Sequence, residues 1–146
     1  MRLHGSDIRS QVATATLLLA LTACGAGSGD TGAPPPAPPA LQPTLASIQA
    51  NIFTPTCAVP GCHSGTQAIL GLRLDAGFSY NSLVNTPSFY DATLIRVVPG
   101  NADASFLVQK LEGTQAFGQR MPLNGPYFQQ TTVDIVRQWI DQGAQP

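Results

Sequence analysis

Histidine and positive charge are scarce in this chain of 146 residues. Only His63 lies beyond residue 23, so a hydrolase built on Ser, His and Asp would depend on this one imidazole. Without residues 1–23, five basic and seven acidic side chains remain, a net charge of −2, which lacks the basic patch that nucleic-acid binding needs. No Gly-rich phosphate loop and no internal repeat is present. These absences disfavour hydrolases and proteins that bind nucleotides or nucleic acids.

The chain also lacks a long hydrophobic run. Residues 12–20 form its main apolar stretch, which is too short to span a bilayer, and Arg2 and Arg9 precede it. This pattern is typical of a secretory signal peptide, which we predict at residues 1–23. The next residue is Cys24, and the preceding Leu-Thr-Ala resembles the lipobox of bacterial lipoproteins. The resemblance implies a lipidated Cys24; an ordinary signal peptide followed by a chance cysteine is the alternative.

The composition then divides the rest of the chain into a tether and one domain. Residues 24–43 are rich first in Gly and Ser and then in Pro, which predicts a flexible stretch followed by an extended one. All ten aromatic residues lie after it, beginning with Phe53. Residues 44–146 therefore form one small domain. A domain of this size buries only about 60–65% of its unfolded surface, so a large apolar cofactor would help it to build a core.

Residues 57–63, Cys57-Ala58-Val59-Pro60-Gly61-Cys62-His63, are the most informative segment. Two close cysteines followed at once by histidine indicate covalent haem attachment, in which each thiol forms a thioether and the imidazole binds the iron. The usual spacing between the cysteines is two residues, whereas here it is four. Pro60-Gly61 favours a tight turn, which would let the intervening residues loop out while the two sulfur atoms stay close.

Helix signals occur near both ends of the domain. Thr44 can cap a first helix, and Thr54-Pro55 is predicted to end it. Residues 131–134 resemble a capping box for a last helix that ends at Gly143. The predicted apolar faces comprise Leu45, Ile48 and Ile52 in the first helix and Ile135, Val136, Trp139 and Ile140 in the last.

Between these two helices the sequence predicts shorter elements and long loops. Residues 79–85 indicate one or two helical turns, and Asp103 can cap a helix that runs through Leu111 and ends at Gly113. Residues 72–74 and 94–98 have strand character and would pair as a short two-stranded ribbon. The expected fold class is mainly α with long loops, which are uncommon unless functional.

From residue 44 onwards the chain resembles a small c-type cytochrome domain of the cytochrome c fold. The resemblance rests on Cys57, Cys62 and His63, on Met121-Pro122 in a later loop, and on the amphipathic last helix with Trp139. It implies one haem c attached to both cysteines, His63 as proximal iron ligand and Met121 as distal ligand. Met121 is the only methionine beyond residue 23.

The haem surroundings are expected to follow from this ligand set. A carbonyl near Gly71 is predicted to accept a hydrogen bond from His63 Nδ1, since ligating imidazoles usually have such a partner. Arg73, Arg96 and Arg120 are candidates to neutralise a haem propionate.

The predicted function is transfer of single electrons, without substrate turnover, in the bacterial cell envelope. The protein would be held by lipid at Cys24, at the outer membrane and facing the periplasm or the cell surface. Its partners would be redox proteins and the membrane, not nucleic acid. With Lys110 as the only lysine, no strong electrostatic steering towards an acidic partner is expected.

Two haem-free alternatives use the same side chains. Cys57 and Cys62 can close a disulfide loop worth roughly 2 kcal/mol, which would make the chain a stapled binding lipoprotein. A copper carrier would use the thiols, the imidazole and the thioether as soft ligands, although adjacent Cys62 and His63 would strain the backbone at one metal. Structural zinc has less support, because no fourth ligand is apparent.

Overall fold

The computed structural model describes residues 40–146. The chain divides into two units, Met1–Pro36 and Ala37–Pro146, and all described residues belong to the second. The predicted signal peptide, the lipidated Cys24 and the tether up to residue 39 lie outside the described residues. The described part is mainly α, as predicted, and its helical elements are α1 (Leu45–Ile48), a π-helix (Gln49–Cys57), a 3₁₀ turn (Ile69–Gly71), α2 (Ser79–Leu83), α3 (Phe106–Glu112) and α4 (Gln130–Asp141).

The first helix is longer than the sequence predicted. Its cap is confirmed, because the Thr44 hydroxyl accepts a hydrogen bond of 3.3 Å from the Ser47 amide. The predicted end at Thr54-Pro55 is wrong, since α1 continues as a π-helix to Cys57. A π-helix pairs each amide with the carbonyl five residues back, and the Ala58 amide still donates to the Phe53 carbonyl at 2.7 Å. The missing Pro amide therefore costs one bond and does not stop the helix, which carries Cys57 in its last turn.

The middle of the domain contains short elements joined by isolated bridges. α2 lies within the predicted helical turns at 79–85, which confirms that prediction. The predicted ribbon between 72–74 and 94–98 is wrong: residues 95 and 97 bridge Pro87 and Val84 instead. The Leu74 amide donates to the His63 carbonyl at 2.8 Å. Residues 72–74 therefore lie beside the end of residues 57–63, which we call the Cys–His segment.

The ends of α3 and α4 are partly as predicted. Gly113, with φ +85°, ends α3 as expected, but the helix begins at Phe106 and Asp103 does not cap it. The Asp103 carboxylate instead forms an ion pair with Arg137 on α4. The predicted capping box is also absent, because α4 begins at Gln130 and residues 131–134 already lie within it.

The core joins the first helix, α3 and α4. Trp139 is fully buried, and its indole Nε1–H donates to the Gln145 carbonyl at 2.7 Å, which fixes the C-terminal turn beneath α4. Ile135, which was predicted on the buried face, is only half-buried, and Val133 is buried in its place. The central buried side chains are Ile48, Ile52, Phe53, Leu83, Val97, Val108, Leu111, Val133, Val136, Trp139 and Ile140. Within residues 40–146 no helix combines the length and the apolar character needed to cross a membrane.

Candidate functional site

A cavity of about 430 Å³ lies beside this core. Its volume falls in the range of about 300–1,000 Å³ that is usual for ligand and cofactor sites. Most of its lining is apolar and comes from the end of the π-helix, the loop after Cys62, the 88–90 segment, α3 and the 118–123 segment. The long loops predicted from the sequence thus form much of the cavity wall.

All four predicted cofactor-binding residues line this one cavity. Cys57 comes from the last turn of the π-helix, Cys62 and His63 come from the loop that follows, and Met121 reaches the cavity from a segment almost 60 residues further along the chain. The structure therefore brings together two thiols, an imidazole and a thioether at one apolar surface.

The segment between the two cysteines forms the predicted turn. The Cys62 amide donates to the Val59 carbonyl at 3.0 Å, and Gly61 has φ +80°. This geometry, with Pro60 before the glycine, is that of a type II turn, which needs a positive φ at its third residue. The His63 amide also donates to the Cys57 carbonyl at 3.1 Å. The chain therefore returns to the end of the helix, and both cysteines face the same cavity.

His63 is held in one tautomer. Its Nδ1 lies 3.2 Å from the Leu72 carbonyl, and a carbonyl can only accept, so Nδ1 carries the proton. This acceptor is one residue beyond the predicted position near Gly71. Burial lowers the pKa of His63, which favours the neutral ring. Nε2 is then the unprotonated nitrogen, with a lone pair available for a metal.

Three arginines were predicted as candidates to neutralise a haem propionate, and of these only Arg96 lines the cavity. It supports the neighbouring loops through hydrogen bonds to the Ser82 carbonyl at 2.8 Å and the Leu70 carbonyl at 3.1 Å. Arg73 is paired with Asp75 instead. Arg120 donates to the Leu111 carbonyl and does not line the cavity either.

Lys110 is a cavity residue that the sequence analysis did not place there. The sequence did contain a pattern that predicts this position. Phe106 and Leu107, which line the cavity from α3, precede Lys110 by four and three residues, and this spacing puts side chains on one face of a helix. The rim residues Phe89 and Tyr90 were also missed. They lie in a loop without a periodic pattern, so only the tertiary structure reveals their place.

The two cysteines are free thiols in different environments. Cys62 is exposed, whereas burial, and then the neighbouring Cys62, raise the pKa of Cys57 to about 11. Cys57 is therefore a neutral thiol near pH 7. Among residues 40–146 no three His, Cys, Asp or Glu side chains are grouped closely enough to hold a metal ion, so a zinc site made of such ligands gains no support.

No protein-family model matches this chain, and no curated protein or solved structure matches it. The functional argument therefore depends on the residues and geometry of the cavity.

Proposed function

We propose that this protein is a monohaem c-type cytochrome that transfers single electrons in the bacterial cell envelope. One observation carries the proposal: Met121, almost 60 residues further along the chain, lines the same apolar cavity as Cys57, Cys62 and His63. Met121 is the only methionine beyond residue 23, so the one thioether available to the domain lies at this cavity.

The residues of the cavity fit a haem group by their chemistry. Cys57 and Cys62 would hold the group covalently by adding their thiols to its vinyl groups, and His63 and Met121 would supply an imidazole and a thioether, both of which are ligands for haem iron. The apolar wall suits the porphyrin face, and the Arg96 cation at the cavity suits its carboxylates. When bound, the haem iron supplies a change of one electron between two oxidation states.

The chain's own residues would tune and protect this chemistry. The hydrogen bond from His63 Nδ1 to Leu72 fixes the ring orientation and increases the basicity of Nε2. Met121 as second ligand would raise the reduction potential relative to two nitrogen ligands and close the iron to external ligands. The apolar side chains of the wall would exclude water. This division of roles favours an electron carrier over an enzyme.

The proposed setting follows from the N-terminal sequence. Lipid at Cys24 would anchor the protein at the outer membrane, facing the periplasm or the cell surface, with the Pro-rich tether separating the domain from the membrane. Redox proteins would be its partners.

Mass spectrometry of protein produced in a host that matures c-type cytochromes tests the proposal. We expect one haem to remain bound after acid and organic extraction and to be lost in a Cys57→Ala/Cys62→Ala variant. An Arg137→Leu variant, altered far from the cavity, should keep its haem. Colourless wild-type protein from that host would refute the proposal.

The disulfide alternative uses the same two cysteines, which line one cavity and are both free thiols. A haem-free binding protein stapled by this bond would have a non-reduced mass lower by two hydrogens. The same mass measurement therefore separates the two functions.

A further inference from the structure

The segment that carries Met121 is fastened to α3 mainly by polar contacts. Phe117, Gly118 and Gln119 are exposed, so burial contributes little to holding them. The Met121 amide donates to the Lys110 carbonyl at 2.8 Å. The position of the thioether at the cavity therefore depends on how firmly this segment is attached to Lys110 and its neighbours.

The Lys110 ammonium forms the remaining attachment. Its Nζ donates to the Phe117 carbonyl and, at 3.1 Å, to the Gln119 carbonyl. Together with its own carbonyl, Lys110 thus contacts three positions within five residues of the segment. Hydrogen bonds from a charged donor are shorter and stronger than neutral ones, so this residue contributes more than a single neutral contact would.

Aromatic rings complete the surroundings of this ammonium. Nζ lies 5.1 Å from the ring centroids of both Tyr90 and Phe106, within reach of cation–π attraction. Tyr90 in turn stacks on Phe117, with the centroids 6.3 Å apart and the planes 10° apart. The packing leaves no room at Gly118, where an added Cβ would lie 2.7 Å from Nζ and φ is +69°. The aromatic rings at the cavity rim, the Lys110 ammonium and the 117–119 segment are therefore packed against one another.

We infer that Lys110 is the positioning residue that holds the Met121 thioether at the cavity. The inference rests on the proposed function for what Met121 binds, but the attachment itself is a property of the chain. Without the ammonium, the 117–121 segment keeps two hydrogen bonds to α3, from the Met121 amide to the Lys110 carbonyl and from Arg120 to the Leu111 carbonyl. It also keeps the stacking of Phe117 on Tyr90, which lies at a partly exposed surface. The segment should then open more often, and Met121 should leave the cavity with it.

Amide hydrogen exchange of the full chain tests this attachment directly. In Lys110→Leu the Met121 amide should exchange about tenfold faster than in wild type, the change expected for the loss of about 1.4 kcal/mol of local attachment. Lys110→Arg, which keeps the charge and the N–H donors, should recover most of the protection. Arg137→Leu removes a cation that pairs with Asp103 and Glu112, and it should leave the local exchange of Met121 unchanged.

Haem-loaded protein provides the second measurement. If Met121 opens about tenfold more often in Lys110→Leu, imidazole added to the solution should bind the iron about tenfold more tightly, and Lys110→Arg should reverse the change. Equal Met121 exchange in wild type and Lys110→Leu overturns the inference. So does an increase that is the same for the core amides of α4, because that result reports global unfolding.

A third measurement needs no variant, because Lys110 is the only lysine in the chain. Its amine should react with an acylating reagent at least about tenfold more slowly in native protein than in urea, since two carbonyls and two rings occupy its surroundings. Equal rates would overturn the inference even if Lys110→Leu failed to fold. If the wild-type protein carries no haem, the proposed function fails, while the exchange and acylation results still decide the role of Lys110.

Discussion

Arg96 links three parts of the chain beside the cavity, and its replacement tests whether this link supports the site. Its guanidinium donates to the carbonyls of Ser82, Leu70 and, at 3.4 Å, Gly71. The last two belong to the 3₁₀ turn directly before Leu72, whose carbonyl holds His63. Arg96→Met keeps most of the apolar stem and removes every donor of the guanidinium.

The expected loss of stability follows from these contacts. A hydrogen bond from a charged donor contributes about 1.5–3 kcal/mol when it is well formed. Two of the bonds, at 2.8 and 3.1 Å, lie within the normal range, but Arg96 is only half-buried and water can reach part of the site, so the lower end of the range applies. Because the guanidinium no longer needs to be desolvated, we expect a net loss of about 2 kcal/mol, or roughly 10 °C in Tm for a domain of this size.

Urea denaturation of full-length wild type and Arg96→Met, followed by circular dichroism, measures this loss. Arg73→Met is the matched control, because it removes a partly exposed ion pair that contributes at most about 1 kcal/mol. Nitrogen chemical shifts of His63 should also show a mixture of tautomers in Arg96→Met, since the Leu72 carbonyl would no longer be fixed. A loss below about 0.5 kcal/mol with an unchanged His63 would refute the reasoning.

Three further predictions concern the cavity and the core. In haem-free protein, iodoacetamide should modify Cys62 well before Cys57, and equal labelling rates, read by peptide mass, would contradict the difference between the two thiols. Because the fold favours the neutral Cys57 thiol, the free energy of unfolding should decrease as pH rises from 9.0 to about 11. Trp139→Phe should cost about 0.5–1.5 kcal/mol in urea titrations, since the hydrogen bond to the Gln145 carbonyl is lost, and a neutral result would be inconsistent with the bond. Met121→Leu should lower the reduction potential of haem-loaded protein with less than about 1.5 kcal/mol change in stability; an unchanged spectrum and potential would exclude Met121 as a ligand.

Local signals in the sequence were sufficient where the determining contacts are local. The Thr44 cap, the turn at Pro60-Gly61 and the end of α3 at Gly113 each depend on residues within four positions of one another. For these features the preferred φ angle or the reach of one side chain decides the conformation. The same holds for the assignment of the domain as mainly α.

Contacts between distant residues decided the features that the sequence did not reveal. Asp103 has the chemistry of a helix cap, but the Arg137 guanidinium, 34 residues away, binds its carboxylate. Residues 94–98 have strand character, but their partners at 84 and 87 are set by the packing of α2 and not by their own pattern. The four ligand candidates could be nominated from their residue types. The location of Lys110 and Tyr90 at the cavity, in contrast, depends on how α3 packs against two loops.

In the proposed haem attachment, the turn at Pro60-Gly61 would accommodate the four-residue spacing between the cysteines. The bond from the His63 amide to the Cys57 carbonyl holds the backbone of His63 next to the end of the helix. Pro60 and Gly61, at the tip of the turn, are exposed and do not line the cavity. The tip of the turn therefore projects away from the cavity, while the bond between residues 57 and 63 keeps both ends of the segment beside the helix end.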